Sequence, residues 1–86
     1  MPELSRFYGI IIYMYFREHD PPHFHAAYGE HEASIDIRTF GVLAGHLPAR
    51  SLGLVVEWAE LHKDEIQEAW NRARDHQLPH KIAPLP

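Results

Sequence analysis

Hydrophobic and polar positions follow different rhythms along the chain, and each rhythm predicts an element. From Phe7 to Phe16 nearly every residue is aromatic or β-branched. Ile10, Ile12, Met14 and Phe16 alternate against Ile11, Tyr13 and Tyr15, which predicts a central strand covered on both faces. Pro21 and Pro22 then remove two amide donors and fix φ, so Arg17 to Pro22 reads as a stiff connector. Strict alternation resumes at His23 to Tyr28, with Phe24, Ala26 and Tyr28 on one face and His23, His25 and Ala27 on the other. Glu32 to Arg38 alternates in the same way, and Gly29-Glu30 between the two runs predicts a hairpin turn.

The register of that hairpin follows from the pattern. Only pairings that oppose Phe24 to Ile35 and Ala26 to Ala33 keep apolar side chains beside apolar ones. The same register sets His23 opposite Asp36 and His25 opposite Ser34, with Glu32 further along the same face. A polar patch thus arises from the alternation alone.

Beyond the hairpin, Gly41 and Gly45 bracket Val42 to Ala44, a short fourth strand or a turn, and Pro48 suits the first turn of a helix. Leu52, Val55, Val56, Ala59, Ile66, Trp70 and Ala73 recur at helical spacing with charged residues between them, giving one long amphipathic helix or two with a break near His62. The proline-bearing stretch from Leu78 to Pro86 reads as an extended tail lying along a sheet edge through Ile82 and Leu85. The sum is an α+β fold in one domain, residues 1–86, with an antiparallel sheet of three to four strands followed by helix. In such a fold Tyr28 belongs to the core, Trp58 and Trp70 pack on the sheet or on a partner, and the Tyr13 and Tyr15 face needs cover from a second subunit, a partner or the tail.

Size and charge narrow the chemistry. With 86 residues the chain sits near the lower end of what folds unaided, and with no cysteine it has neither disulfides nor thiolate metal ligands. A reducing, cytoplasmic setting fits that composition, and no apolar run is long enough to span a membrane. The net charge of −4 supplies no basic stripe for generic DNA binding. Eight histidines against eight lysines plus arginines is an unusual ratio, and it directs attention to His19–His25.

Histidines two apart on a strand share a face, with backbones roughly 6–7 Å apart. Three readings follow. As a metal site, His23 and His25 supply imidazole nitrogens and Asp36 or Glu32 an oxygen, a set suited to zinc, nickel or ferrous iron. As an acid–base pair needing no cofactor, His23 is a general base oriented by Asp36, His25 or Tyr15 donates the proton, and Arg17 or Arg38 braces an anion, which suits phosphodiester cleavage. As ordinary surface, they are cross-strand His–Asp and His–Ser neighbours. The rigid proline pair tips the balance towards function, because holding side chains in fixed geometry benefits from a stiff lead-in.

The segments Ser5-Arg6-Phe7-Tyr8-Gly9-Ile10, Met14-Tyr15, Asp20-Pro21-Pro22-His23-Phe24-His25, Tyr28-Gly29, Ile35-Asp36-Ile37, Leu47-Pro48 and Glu57-Trp58-Ala59-Glu60-Leu61-His62 together resemble the prokaryotic domain of unknown function family 4160 over nearly the whole chain. The resemblance implies a gene often beside the domain of unknown function family 2442, hence a toxin–antitoxin-like pair with a protein partner. It marks His23 and His25 as the His-Phe-His motif and Arg6, Tyr15 and Asp36 as accompanying motif residues, none with an assigned role. The expectation is a toxin-like component acting on RNA or another phosphodiester. The alternative is a non-enzymatic partner-binding or metal-binding module, dimeric through its aromatic sheet face.

Overall fold

A computed structural model describes residues 1–86. Five antiparallel strands form a single meander in sequence order: β1 (Glu3–Phe7), β2 (Ile10–Tyr13), β3 (His23–Tyr28), β4 (His31–Asp36) and β5 (Val42–His46). Helices α1 (Ala49–Leu61) and α2 (Lys63–Arg74) follow. No helix is long and apolar enough to cross a membrane.

The sheet has five strands, not three or four, because the apolar run expected as one strand is two. Tyr8 and Gly9 lie between β1 and β2 with φ of 49° and 79°, and two consecutive positive φ values make the tight turn that suits the twist of a hairpin. Phe7 then opposes Ile10, and Arg6 opposes Ile11. Gly9 inside an apolar run was the signal, since only glycine enters the left-handed region without steric cost.

The β3–β4 hairpin has the register argued from the alternation. Phe24 faces Ile35, Ala26 faces Ala33, His23 faces Asp36 and His25 faces Ser34, around the Gly29-Glu30 turn. β5 adds to β4 with a bulge at Leu43, since Val42 pairs with Ile35 and Ala44 with Ser34.

One face of the sheet carries Ile10, Ile12, Phe24, Ala26, Ala33 and Ile35, all buried with residues of both helices in one core. Helix α1 buries Ser51, Val55, Trp58 and Ala59, and α2 buries Ile66, Ala69, Trp70 and Ala73, each set spaced to form one stripe. Full burial of such aliphatic and aromatic side chains stabilises the fold by roughly 1.5–3 kcal/mol apiece. Trp58 is central: its ring packs on Phe7 at 5.6 Å and edge-on to Phe24 at 5.9 Å between centroids.

The helical region is two helices, divided at His62, whose φ of −127° leaves the helical range. Asp64 and Glu65 lie in the first turn of α2 and Arg72 and Arg74 in its last, each sign complementing the helix dipole.

The C-terminal segment lies on the β1 edge, where the Ile82 amide donates to the Leu4 carbonyl at 2.8 Å. Trp58 Nε1 donates to the Ala83 carbonyl at 2.9 Å, and Ile82 and Leu85 are buried. Tyr28, expected in the core, is instead 39% exposed at its rim. It ends β3 beside the hairpin turn, where it lines an open depression with Tyr8 and the first turns of α1.

Candidate metal centre

The second face of the sheet lies outside the helix-packed core, although Trp70 of α2 reaches its edge at His23. Along it run Tyr13, His25, Ser34 and Ala44, four neighbours across strands β2 to β5. Tyr13 stacks on the His25 ring at 5.1 Å, and Tyr15 meets both rings edge-on. This stack buries Tyr13 to 2% exposure with side chains of its own chain, while Tyr15 stays 42% exposed. The cover that this face was expected to need is thus largely internal.

His23 and His25 project from β3 to one place, their ring centroids 5.1 Å apart. The carboxylate between them belongs to Glu18. Its Oε1 lies 2.5 Å from His25 Nε2 and its Oε2 lies 3.1 Å from His23 Nε2. Glu18 stands in the connector, and the backbone there explains how it turns inward. Arg17, immediately before it, has φ of 55°, a conformation costing a non-glycine residue on the order of 1–2 kcal/mol. The Arg17 amide donates to the carbonyl of Ala73 in α2 at 3.2 Å, which anchors the connector to the helix. A strained residue directly preceding a convergent side chain is the kind of local cost that marks functional sites.

The outer nitrogens of both rings are also engaged. His23 Nδ1 lies 2.7 Å from the Pro21 carbonyl oxygen, and Ser34 Oγ lies 3.3 Å from His25 Nδ1. A carbonyl only accepts, so His23 must carry its proton on Nδ1. Its Nε2 then presents a lone pair to a carboxylate oxygen, and two acceptors at 3.1 Å repel unless a cation, proton or metal, stands between them. Both Nε2 atoms and the Glu18 carboxylate, three ligand atoms in all, lie within 4.8 Å of one another. Ligands on a zinc ion at about 2.0–2.2 Å sit roughly 3–4 Å apart, so small rotations of these side chains would close the set. The Trp70 ring, 5.4 Å from that of His23, walls the site on the helix side.

Burial alone would raise the Glu18 carboxyl, but hydrogen bonding and charge from His25, together with those of His23, hold it below the ordinary carboxylate range. The site therefore keeps an anion among two imidazoles.

Asp36 is not the partner of His23, although the two stand opposite in register. Its Oδ1 accepts from the Arg38 and Thr39 amides at 2.7 and 3.3 Å, and its Oδ2 from Arg38 Nη2 at 3.1 Å. Asp36 thus builds the turn into β5, and hydrogen bonding from Arg38, against burial and aided by the turn amides, depresses its pKa. Glu32 faces Ala27 and His46 on the exposed surface and is outside the cluster. Arg6 is on the edge strand, paired with Glu3 at 2.8 Å, and Arg38 is taken by Asp36. Of the residues expected at the site, the structure brings together His23, His25 and Tyr15, and it does not bring Asp36 or Arg6. Glu18 escaped sequence reasoning because no periodicity governs a connector. Its signal was an acidic residue five and seven positions ahead of two histidines in a proline-stiffened run.

The arrangement defines a small α+β protein with a two-histidine, one-carboxylate cluster on the sheet face opposite the main core. The chain belongs to the domain of unknown function family DUF4160, whose profile matches residues 9–71. No curated protein and no solved structure matches it.

Proposed function

We propose that the protein binds a divalent transition metal through Glu18, His23 and His25, and that the bound ion serves as a Lewis acid for hydrolysis. The observation that carries this reading is the Pro21 carbonyl at His23 Nδ1, which in the neutral ring turns the Nε2 lone pair towards the Glu18 carboxylate and so calls for a cation between them. Outer partners that fix the tautomer and orient the ring are the usual support of metal-ligating histidines. Three protein ligands leave coordination positions free for water or substrate, the feature that separates catalytic from structural sites. With no thiolate in the set, zinc, nickel and ferrous iron suit the donors.

Metal-free cleavage of RNA by a histidine pair has less support. Both Nε2 atoms face one carboxylate, so neither is directed at a substrate as base or acid. Asp36, the orienting group of that scheme, is committed to a turn. A toxin-like role with a masking partner rests on the family resemblance, and co-purification of the neighbouring gene product tests it.

The test of the metal reading is calorimetric titration of the metal-stripped protein with zinc and cobalt(II), alongside the His23→Ala variant. One equivalent of uptake in the parent, lost in the variant, is the expected result. No uptake by the parent would refute the reading.

A further inference from the structure

Beside the proposed metal centre, on the same face, is a depression of about 190 Å³ lined by Tyr15, His25, Glu32 and Ser34 over a floor of Ala44 and Gly45. The small floor residues leave the space open. Gly45 is there because φ of +78° and the Glu32 carbonyl, 2.1 Å from where a Cβ would stand, exclude any larger residue. His25 belongs to both places: its Nε2 faces Glu18, and its Nδ1 with Ser34 Oγ forms a wall of the depression.

The groups around it share one preference. The Glu32 carboxylate makes no hydrogen bond and no ion pair, although its neighbour across the strands is His46. The Tyr15 hydroxyl has no protein partner, and its ring is exposed along one side. No lysine or arginine lines the space, so an anion there would meet the Glu32 charge with nothing to offset it. A carboxylate, two hydroxyls and an aromatic ring are a set that receives N–H donors and positive charge, the ring through its quadrupole.

We infer that this depression is a subsite for an organic cation, a protonated amine or a guanidinium group, carried by the molecule on which the metal acts. The cation site stands on the depression itself; its role in positioning a substrate rests on the metal reading above. The substrate class is accordingly a compound with a cationic headgroup next to its hydrolysable bond, and not a bare phosphodiester.

The experiment titrates the full-length, ¹⁵N-labelled chain with methylguanidinium chloride at constant ionic strength, and in parallel with sodium acetate. Saturable shifts of the Glu32, Ser34, Ala44 and Gly45 amides with methylguanidinium, none with acetate, and affinity lowered about tenfold in Glu32→Gln are the expected results. Glu32 is exposed, so this variant keeps the fold. Unsaturating shifts, equal affinity in Glu32→Gln, or saturation by acetate at the same amides would each overturn the site. Zinc added to the same samples is read at the His23 and His25 ring signals. Cation binding without zinc uptake removes the substrate role and the metal reading together, whereas zinc uptake without cation binding overturns this inference alone.

Discussion

Glu18 Oε1 approaches His25 Nε2 at 2.5 Å, although Glu18 belongs to a connector and His25 to the middle of a strand. The other carboxylate oxygen reaches His23, so one side chain closes a set that the strand began. The metal reading depends on that convergence, and the expectations that follow separate it from an ordinary buried ion pair.

Replacing Glu18 by Gln keeps the shape of the side chain and removes its charge. Divalent-metal affinity should fall by at least the roughly 10–100-fold seen when even an outer-shell partner of a metal site is lost. Calorimetry with zinc measures this directly. Because the His23 ring lies against Trp70, tryptophan fluorescence should change on metal addition in the parent and stay constant in Glu18→Gln.

The opposite result is expected at Asp36. Asp36→Asn should leave metal affinity within error of the parent, since Asp36 contributes nothing to the cluster, but lower stability by about 1–3 kcal/mol through weakened turn and Arg38 hydrogen bonds. Urea unfolding provides the second number. A loss of metal binding at unchanged stability would restore Asp36 to the site.

Acid should expose the Glu18 carboxylate. Its pKa is lower in the folded chain than when free, so the stability it contributes is present above the ordinary glutamate value, about 4.3. That contribution is lost as pH falls below this value and through the depressed one. Asp36 behaves in the same sense, below the aspartate value of about 3.9. In the metal-stripped protein, Glu18→Gln should therefore be less stable than the parent at neutral pH, and the two should converge towards pH 3. Thermal unfolding across this range checks the sign, and a gap that widened on acidification would contradict it.

Metal binding should also weaken as pH falls, because protons compete for the two imidazoles. Zinc titrations at a series of pH values should show release of protons on binding. Uptake with no proton released at any pH would point to ligands other than His23 and His25.

Gly45→Ala tests the close approach of β5 to β4 that floors the depression. An added Cβ would fall 2.1 Å from the Glu32 carbonyl oxygen on a backbone with φ of +78°, so a loss on the order of 3 kcal/mol is expected. Deletion of residues 79–86 should also destabilise, since it uncovers the Leu4 edge and leaves Trp58 Nε1 without the Ala83 carbonyl. Both are read by urea unfolding.

How much of this was legible in the sequence differs from one element to the next. Alternation with a period of two is a local property, and a one-residue slip would put Phe24 and Ala26 in water. The β3–β4 register, and with it the pairing of His23 with Asp36 and His25 with Ser34, was therefore determined by the chain itself. The helical stripe and the choice of His23 and His25 as the chemical centre were set in the same local way.

Other features depend on contacts between distant parts of the chain. The direction in which Glu18 points is fixed by the Arg17 amide reaching Ala73, more than fifty residues away. Whether Asp36 turns to its strand neighbour or to its own loop is a competition between one imidazole and four donors on Arg38 and Thr39, and the larger number of donors wins. Side-chain periodicity assigns residues to faces, but it says nothing about where a connector crosses or which hydrogen bonds outbid others, so only the folded chain could bring a carboxylate from position 18 to the two histidines.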